Sequence, residues 1–329
     1  MICFGIFIRF SILSYQEYNQ YGVVTVTNKY VEKRKIFPAV TFCFWLPGGE
    51  ITLEETFIGA SYEYNIFSIT VNDFKKIELT LIEHVNCYTL NSGVNSSGHS
   101  VDLFQTTAFG LGSGLNINFY IPTKCVLFCH IGYNTVVPSK NEFIHALNTK
   151  PLVQVLKVNK IINNKLGTPY NDCQNDLITE KDFDSELYRK IIRSKIKYRQ
   201  INCYDECTKE FSNQTFDFDA ECHPKCPREC DAITYDIVPI DIKFPVDLSK
   251  TVLKYQEKLN NYNITEKDVL SNSINVMIIE DEWVLKITEH PKITSVNLFS
   301  NIGGLAGLFL GVSFLSIYPF MIRLLKNMK

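Results

Sequence analysis

SVNLFSNIGGLAGLFLGVSFLSIYPFMI, residues 295–322, runs for 28 positions without a charged side chain. At ~1.5 Å of rise per residue a helix of this length reaches ~42 Å, against ~30 Å of hydrocarbon, so the stretch predicts a membrane span. A plain lipid anchor is built from Leu, Ile and Val. Here Gly303, Gly304, Gly307 and Gly311 permit close backbone approach at ~1 kcal/mol each in helix propensity, and Ser300, Asn301, Ser313 and Ser316 bring polar groups to lipid depth. Such a helix needs a face that lipid does not touch.

The rest of the chain is ordinary globular material. Charged residues make up 21% of the 329, the formal net charge is −2 and mean hydropathy is near zero, a balance that argues against nucleic-acid binding. The other apolar stretch, ICFGIFIRFSIL at residues 2–13, is short for a span. It lacks the basic n-region and small-residue cleavage site of a signal peptide, and reads as the outer part of a first transmembrane helix over 1–18. Arg9 in its middle must snorkel or face water. Two spans put both termini on one side. Arg323, Lys326 and Lys329 follow the second span with no acidic residue, which makes that side cytoplasmic and residues 323–329 a short tail. Residues 19–294 are then extracellular, and a plasma-membrane, multi-pass location is expected. Three glycosylation sequons, at Asn95, Asn213 and Asn263, and ten of the eleven cysteines lie between the spans, as an oxidising compartment requires.

The late cysteines carry a pattern. In CYDECTKEFSNQTFDFDAECHPKCPREC, residues 203–230, one antiparallel register closes both Cys203–Cys226 and Cys207–Cys222. Cys230 then needs an upstream partner, and Cys173 is the nearest unassigned one, which gives a nested ladder, although spacing alone does not determine connectivity. The alternative is a zinc site with His223 as fourth ligand, but an extracellular setting favours disulfides and reads His223 as a solvated loop residue. Cys3 reads as a small hydrophobe inside the membrane. DSELYRKIIRSKIKYRQ, residues 184–200, places Leu187, Ile191, Ile192 and Ile196 at helical spacing with basic residues opposite. SINVMIIEDEWVLKI, from residue 273, predicts a strand leading to the second span, and LSKTVLKYQEKLNN, from residue 248, predicts a helix capped by Asp247 or Ser249.

FPAVTFC at 37–43, CYTLNSG at 87–93 and GGLAGLFLGVSFLS at 303–316 together resemble the superfamily of epithelial sodium channels, degenerins and acid-sensing ion channels. The resemblance continues through YGVVT at 21–25, GLNINFYIP at 114–122, LGTPYNDC at 166–173 and CDAITY at 230–235, so it runs almost end to end, with an invertebrate-like, N-terminally truncated character. It implies an α+β membrane protein in which two transmembrane helices flank a disulfide-rich extracellular domain with a palm β-sheet, a helical thumb and a reduced finger. It also implies a homo- or hetero-trimer of related subunits in the bilayer, and a Cys43–Cys87 bond. Cys125 and Cys129, four apart, would sit ~13 Å apart on an extended strand, so their state stays open.

By resemblance, Gly311, Val312 and Ser313 form the selectivity filter, and Ser300, Asn301, Gly304, Gly307 and Leu308 line the pore. Three copies would present carbonyls and serine hydroxyls to a sodium ion in place of part of its hydration shell. Glycine permits an extended backbone there, and irregular backbone at that depth is tolerable because it lines water. Packing of helix on helix explains Gly303, Gly304 and Gly307 equally well. Tyr18 and Tyr170 fall where relatives make a gating contact between the first helix and the thumb base, and a membrane-interface tyrosine explains Tyr18 equally well. Two positions depart from the pattern. Asn301 replaces an Asp, and Pro319 replaces a Glu while removing a hydrogen bond to the Leu315 carbonyl, so both weaken attraction for cations. Two functions follow: a subunit of a trimeric, sodium-selective, amiloride-sensitive-type channel passing sodium down its gradient, or a non-conducting member serving as silent subunit or membrane-bound ectodomain. An enzyme is not expected, since no nucleophile, base and orienting group assemble and the six histidines are scattered. No catalytic residue, metal site or cofactor is expected. Only 43 residues separate Cys43 from Cys87, which leaves too little finger for a proton-sensing pocket and argues against acid gating.

Overall fold

The computed structural model describes residues 2–46, 49–62, 67–77, 85–93, 101–106, 113–121, 125–132, 145–147, 153–175, 177–193, 198–210, 221–242 and 272–311. The chain divides into two compact units that cut across its linear order: Met1–Val26, Asn164–Cys173 and Thr288–Lys329 form one, and Thr27–Asn163 with Gln174–Ile287 the other. In chain order the elements are α1 (Ile2–Tyr18), β1 (Val23–Val31), β2 (Lys35–Ile36), β3 (Ala39–Trp45), α2 (Leu53–Thr56), β4 (Phe57–Tyr62), β5 (Phe67–Ile69), β6 (Phe74–Ile77) and β7 (Val85–Leu90). They continue with β8 (Gln105–Thr106), β9 (Leu115–Tyr120), β10 (Val126–Gly132), β11 (His145–Leu147), β12 (Val153–Asn164), α3 (Glu186–Arg193), α4 (Gln200–Glu210), β13 (Asp231–Ile242), β14 (Ser273–Pro291) and α5 (Ser295–Leu310).

Two sheets dominate the larger unit. A seven-stranded sheet runs β13-β12-β14-β9-β4-β5 with β1 alongside β14, and a five-stranded sheet runs β11-β10-β3-β7-β6. The alternation of β9 shows how sequence sets the packing: Leu115, Ile117 and Phe119 are fully buried while Asn116, Asn118 and Tyr120 between them are half-exposed, the period-two signature of a strand with one face on a core. Phe119 is the aromatic hub. Its ring lies 4.8 Å from that of Phe42, 5.5 Å from Phe44 and 6.3 Å from Phe57, so one side chain joins β3 of one sheet to β4 and β9 of the other. Cys43 and Cys87 face each other directly across β3 and β7 and are bonded. The expected strand at residue 273 is β14, 19 residues long.

Charge also sits inside this unit. Lys35, 1% exposed, donates from Nζ to the Asp281 carbonyl, and Glu280, 3% exposed, bonds to the Thr106 hydroxyl, which also meets the Tyr62 hydroxyl at 2.7 Å. Burial pushes the Lys35 pKa down and the Glu280 pKa up, each toward its neutral form, while their mutual attraction opposes both shifts. Ion pairs flank them, Lys160–Glu32 at 2.9 Å and Lys157–Asp281 at 3.0 Å. On β10, His130 is buried and its pKa is pushed down to about 4 by loss of water.

The helical subregion corrects one expectation in form. The run at 184–200 is not one continuous described helix: α3 ends at Arg193 and α4 begins at Gln200, with 194–197 outside the described residues. Ser185 starts α3, its Oγ accepting the Tyr188 N–H at 3.3 Å. Leu187, Tyr188 and Ile191 bury against Tyr198 and the cysteines Cys203, Cys207, Cys222 and Cys226. Cys203 and Cys207 lie one turn apart on the same face of α4 and bond, as the antiparallel register predicts, to Cys226 and Cys222 on either side of the short turn His223–Lys225. Cys173 and Cys230 are the remaining disulfide-bonded pair of positions. His223 is exposed and its neighbouring cysteines are all bonded, which rules out the zinc reading there. Cys125 and Cys129 are free, buried thiols. The helix expected from residue 248, and the sequons at Asn95, Asn213 and Asn263, lie outside the described residues.

Candidate functional site

The smaller unit holds both apolar helices, which pack against each other. Thr294 caps α5, its Oγ1 accepting the Asn297 N–H at 3.1 Å. Gly311 ends the helix in the left-handed conformation, φ 65° and ψ 19°, where a side chain would be strained. The extended backbone expected to begin at Gly311 is therefore a helix-terminating turn at that residue. Val312 and Ser313, the rest of the expected filter, lie outside the described residues. Among the described residues no helix is long and apolar enough to cross a membrane: α1 has 17 residues, and the 16 of α5 are the described part of the expected 295–322 span.

The two faces of α5 differ in chemistry. Leu298 is buried and Ile302, Leu305, Ala306 and Phe309 are half-buried, all apolar and all at helical spacing toward α1. At about 100° per residue, Ser300, Gly304, Gly307 and Gly311 form a second stripe roughly opposite the first. All four are exposed. Asn301 and Leu308 lie about a quarter turn round from that stripe, one above the other, and are exposed too. A Cβ added at Gly303, Gly304 or Gly311 meets nothing within 4 Å. Small size is thus not needed within the chain at these three positions. On α1 the half-buried stripe is Phe7, Ser11, Ser14 and Tyr18, where two serines let the backbones approach, and Phe10 stacks on Phe309 at 6.2 Å. Arg9 is exposed.

Below α1 and ahead of α5 the chain makes a knot of contacts. The Tyr170 ring meets Tyr21 edge-on at 5.6 Å, and Tyr21 in turn lies 6.4 Å from Tyr18, so Tyr21 stands between the two tyrosines of the expected contact. Tyr21, at φ 49°, turns the chain out of α1. Lys292 donates its backbone N–H to the Gly22 carbonyl at 2.8 Å and its Nζ to Glu17 at 2.9 Å. Glu289 accepts the Leu166 N–H at 3.1 Å and the Asn171 side-chain amide at 2.6 Å. Sequence reasoning missed Tyr21, Glu289 and Lys292. Only Glu17 and Lys292 left a trace, as charges bordering the two apolar stretches.

The family model of the amiloride-sensitive sodium channel matches residues 195–322, from just ahead of α4 through α5 and beyond. The gamma subunit of the epithelial sodium channel from Neoceratodus forsteri is 23% identical over 274 residues, covering 70% of this chain and 40% of that protein. The alpha subunits from Anolis carolinensis and Homo sapiens are 25% and 24% identical over 277 and 275 residues, covering 70% of this chain and 41% and 39% of theirs. The chain spans about two fifths of the length of these curated relatives. Among solved structures, that of a proton-activated chloride channel aligns over 98% of this chain and 95% of its own, at 6% identity and a TM-score of 0.40, a likeness too low to argue from. The family match over residues 195–322, together with the alignments to these subunits, supports membership of the chain in the superfamily of epithelial sodium channels, degenerins and acid-sensing ion channels.

Proposed function

We propose that the chain is a subunit of a trimeric, sodium-selective, amiloride-sensitive-type cation channel of the plasma membrane, with sodium as the permeant ion and no enzymatic activity. The observation that carries this reading is the exposed stripe Ser300, Gly304, Gly307 and Gly311 on the side of α5 turned away from α1. A helix turned wholly to lipid carries large apolar side chains there. Here an apolar stripe faces α1 while small and polar residues form the opposite one, an arrangement that suits a water-filled axis shared with copies of the chain or related subunits. Gly311, Val312 and Ser313 would then form the narrowest ring, presenting carbonyls to sodium, with Asn301 and Leu308 nearer the flank. Both termini would lie in the cytoplasm.

A second reading, a silent subunit or membrane-bound ectodomain, is favoured by Asn301, which puts an amide where relatives place a carboxylate and so removes a ring of negative potential from the outer pore. Voltage-clamp recording after expression of a full-length form, alone and with related subunits, separates the two. An amiloride-blocked sodium current supports the channel. Absence of sodium current in every combination, with the protein detected at the cell surface, rejects it.

A further inference from the structure

We propose that Glu289 is the positioning residue that ties the 164–173 loop to the pore helix, so that displacement of that loop moves the start of α5; this rests on the reading of α5 as a pore helix. The carboxylate takes two donors from the loop through one oxygen, the Leu166 N–H at 3.1 Å and the Asn171 Nδ2 at 2.6 Å. The same Asn171 amide also donates to the Leu166 carbonyl at 3.0 Å, and the Tyr170 N–H bonds to the Gly167 carbonyl at 3.0 Å, so the loop is closed on itself and moves as one piece. Glu289 stands near the end of β14, three residues before Lys292. Lys292 is held to Gly22 and Glu17, and Thr294 caps α5 two residues further on.

The loop therefore has two attachments within this unit. One is aromatic, Tyr170 against Tyr21 at the exit of α1. The other is the Glu289 carboxylate hydrogen-bonded to two neutral donors, and it leads into α5. A ring-on-ring contact slides, because dispersion has little directional preference, whereas a carboxylate accepting two hydrogen bonds holds both distance and angle. The carboxylate is the part of the junction that can pull as well as push. Both donors need an acceptor, and a charged acceptor makes each bond shorter and stronger than an amide would.

The test is hydrogen exchange on the full-length protein in detergent, with E289Q, N171D and the double variant E289Q/N171D. E289Q weakens both bonds and N171D sets two carboxylates face to face. In the double variant the amide introduced at position 289 accepts the Leu166 N–H through its carbonyl and donates through its nitrogen to the carboxylate introduced at position 171, so the tie re-forms with its polarity reversed. Each single variant is expected to speed exchange in 165–171 roughly tenfold, the scale of a lost bond to a charged group, and to speed exchange at Asn297 and Leu298 in the first turn of α5; the double variant restores the first turn of α5, while the loop stays faster because the carboxylate at 171 cannot donate to the Leu166 carbonyl. Faster exchange in the loop with no change at Asn297 and Leu298 overturns the proposal, as does no change in the loop or failure of the double variant to restore the first turn of α5. Recording sodium current from the wild type in parallel keeps the two ideas apart. Coupled exchange without current in any subunit combination rejects the pore reading and leaves the tie standing.

Discussion

Replacing Lys35 by Met should destabilise the larger unit, and the loss should depend on pH through Glu280. Both side chains are inside, at 1% and 3% exposure, and the Glu280 Oε2 has no hydrogen-bond partner among the described residues. Removing one member of a buried pair leaves an uncompensated charge, which costs about 3–5 kcal/mol. Glu280 can escape part of this by taking a proton, because burial already holds its pKa above the usual carboxylate value and loss of Lys35 raises it further. The folded variant then binds more protons than the unfolded chain at every pH between the unfolded carboxylate value, about 4.3, and the raised folded one. Stability must fall as pH rises through that window, by up to ~1.4 kcal/mol per unit, and level off above it. Lys35→Met should therefore be far less stable than wild type at pH 8 and close to it near pH 4.5, with an apparent melting shift on the order of 8 °C at the higher pH. K35M/E280L removes both charges and should recover most of the loss, since replacing a buried pair with apolar groups is often neutral. Thermal unfolding of the purified chain at several pH values is the assay. A K35M shift that is the same at pH 4.5 and 8, or a double variant no better than the single, refutes the reasoning.

Three further outcomes are expected. Buried His130, neutral in the fold with its pKa down near 4, binds fewer protons than in the unfolded chain between about 4 and 6.5, so it lowers stability as pH falls through that window; His130→Gln should flatten this limb of the stability curve by on the order of 3 kcal/mol. Gly304→Leu meets open space within the chain, and helix propensity should favour it by up to ~1 kcal/mol, yet it should abolish assembly or current; unchanged oligomers and unchanged current would show that this face touches neither pore nor partner. Burial pushes the Cys125 thiol up to about 11 and Cys129 higher still, so mass spectrometry should find both unalkylated at pH 8 in the folded protein and both labelled after denaturation.

The residues that were legible are those whose spacing has one physical meaning. The branched, loosely alternating run from Ser273 reads as a strand and is β14, and four-residue cysteine spacing leaves few registers. That same spacing is ambiguous about the element, because four residues make one helical turn as well as two strand periods, and tertiary context chose the helix α4. Glycines read correctly as special, but Gly311 stops a helix, a role its sequence neighbours do not reveal. Glu289 was illegible because its partners lie far upstream, at Leu166 and Asn171, and no local pattern marks a carboxylate that meets a backbone N–H. Lys35 and Glu280 were equally illegible, since burial of a charge is decided by what folds over it.

The bonds Cys203–Cys226 and Cys207–Cys222 put the stretch between Cys207 and Cys222 on a covalent leash. A protease that cuts there leaves both pieces fastened to the same scaffold, so cleavage would pass unseen until a reducing agent separated the fragments. Lengthening the stretch is cheap as well, because each doubling of a closed loop costs only about 0.6 kcal/mol in chain entropy. The leash therefore marks a place where an epitope or fluorophore can be spliced into the chain while α4 on one side and the His223–Lys225 turn on the other keep their anchorage.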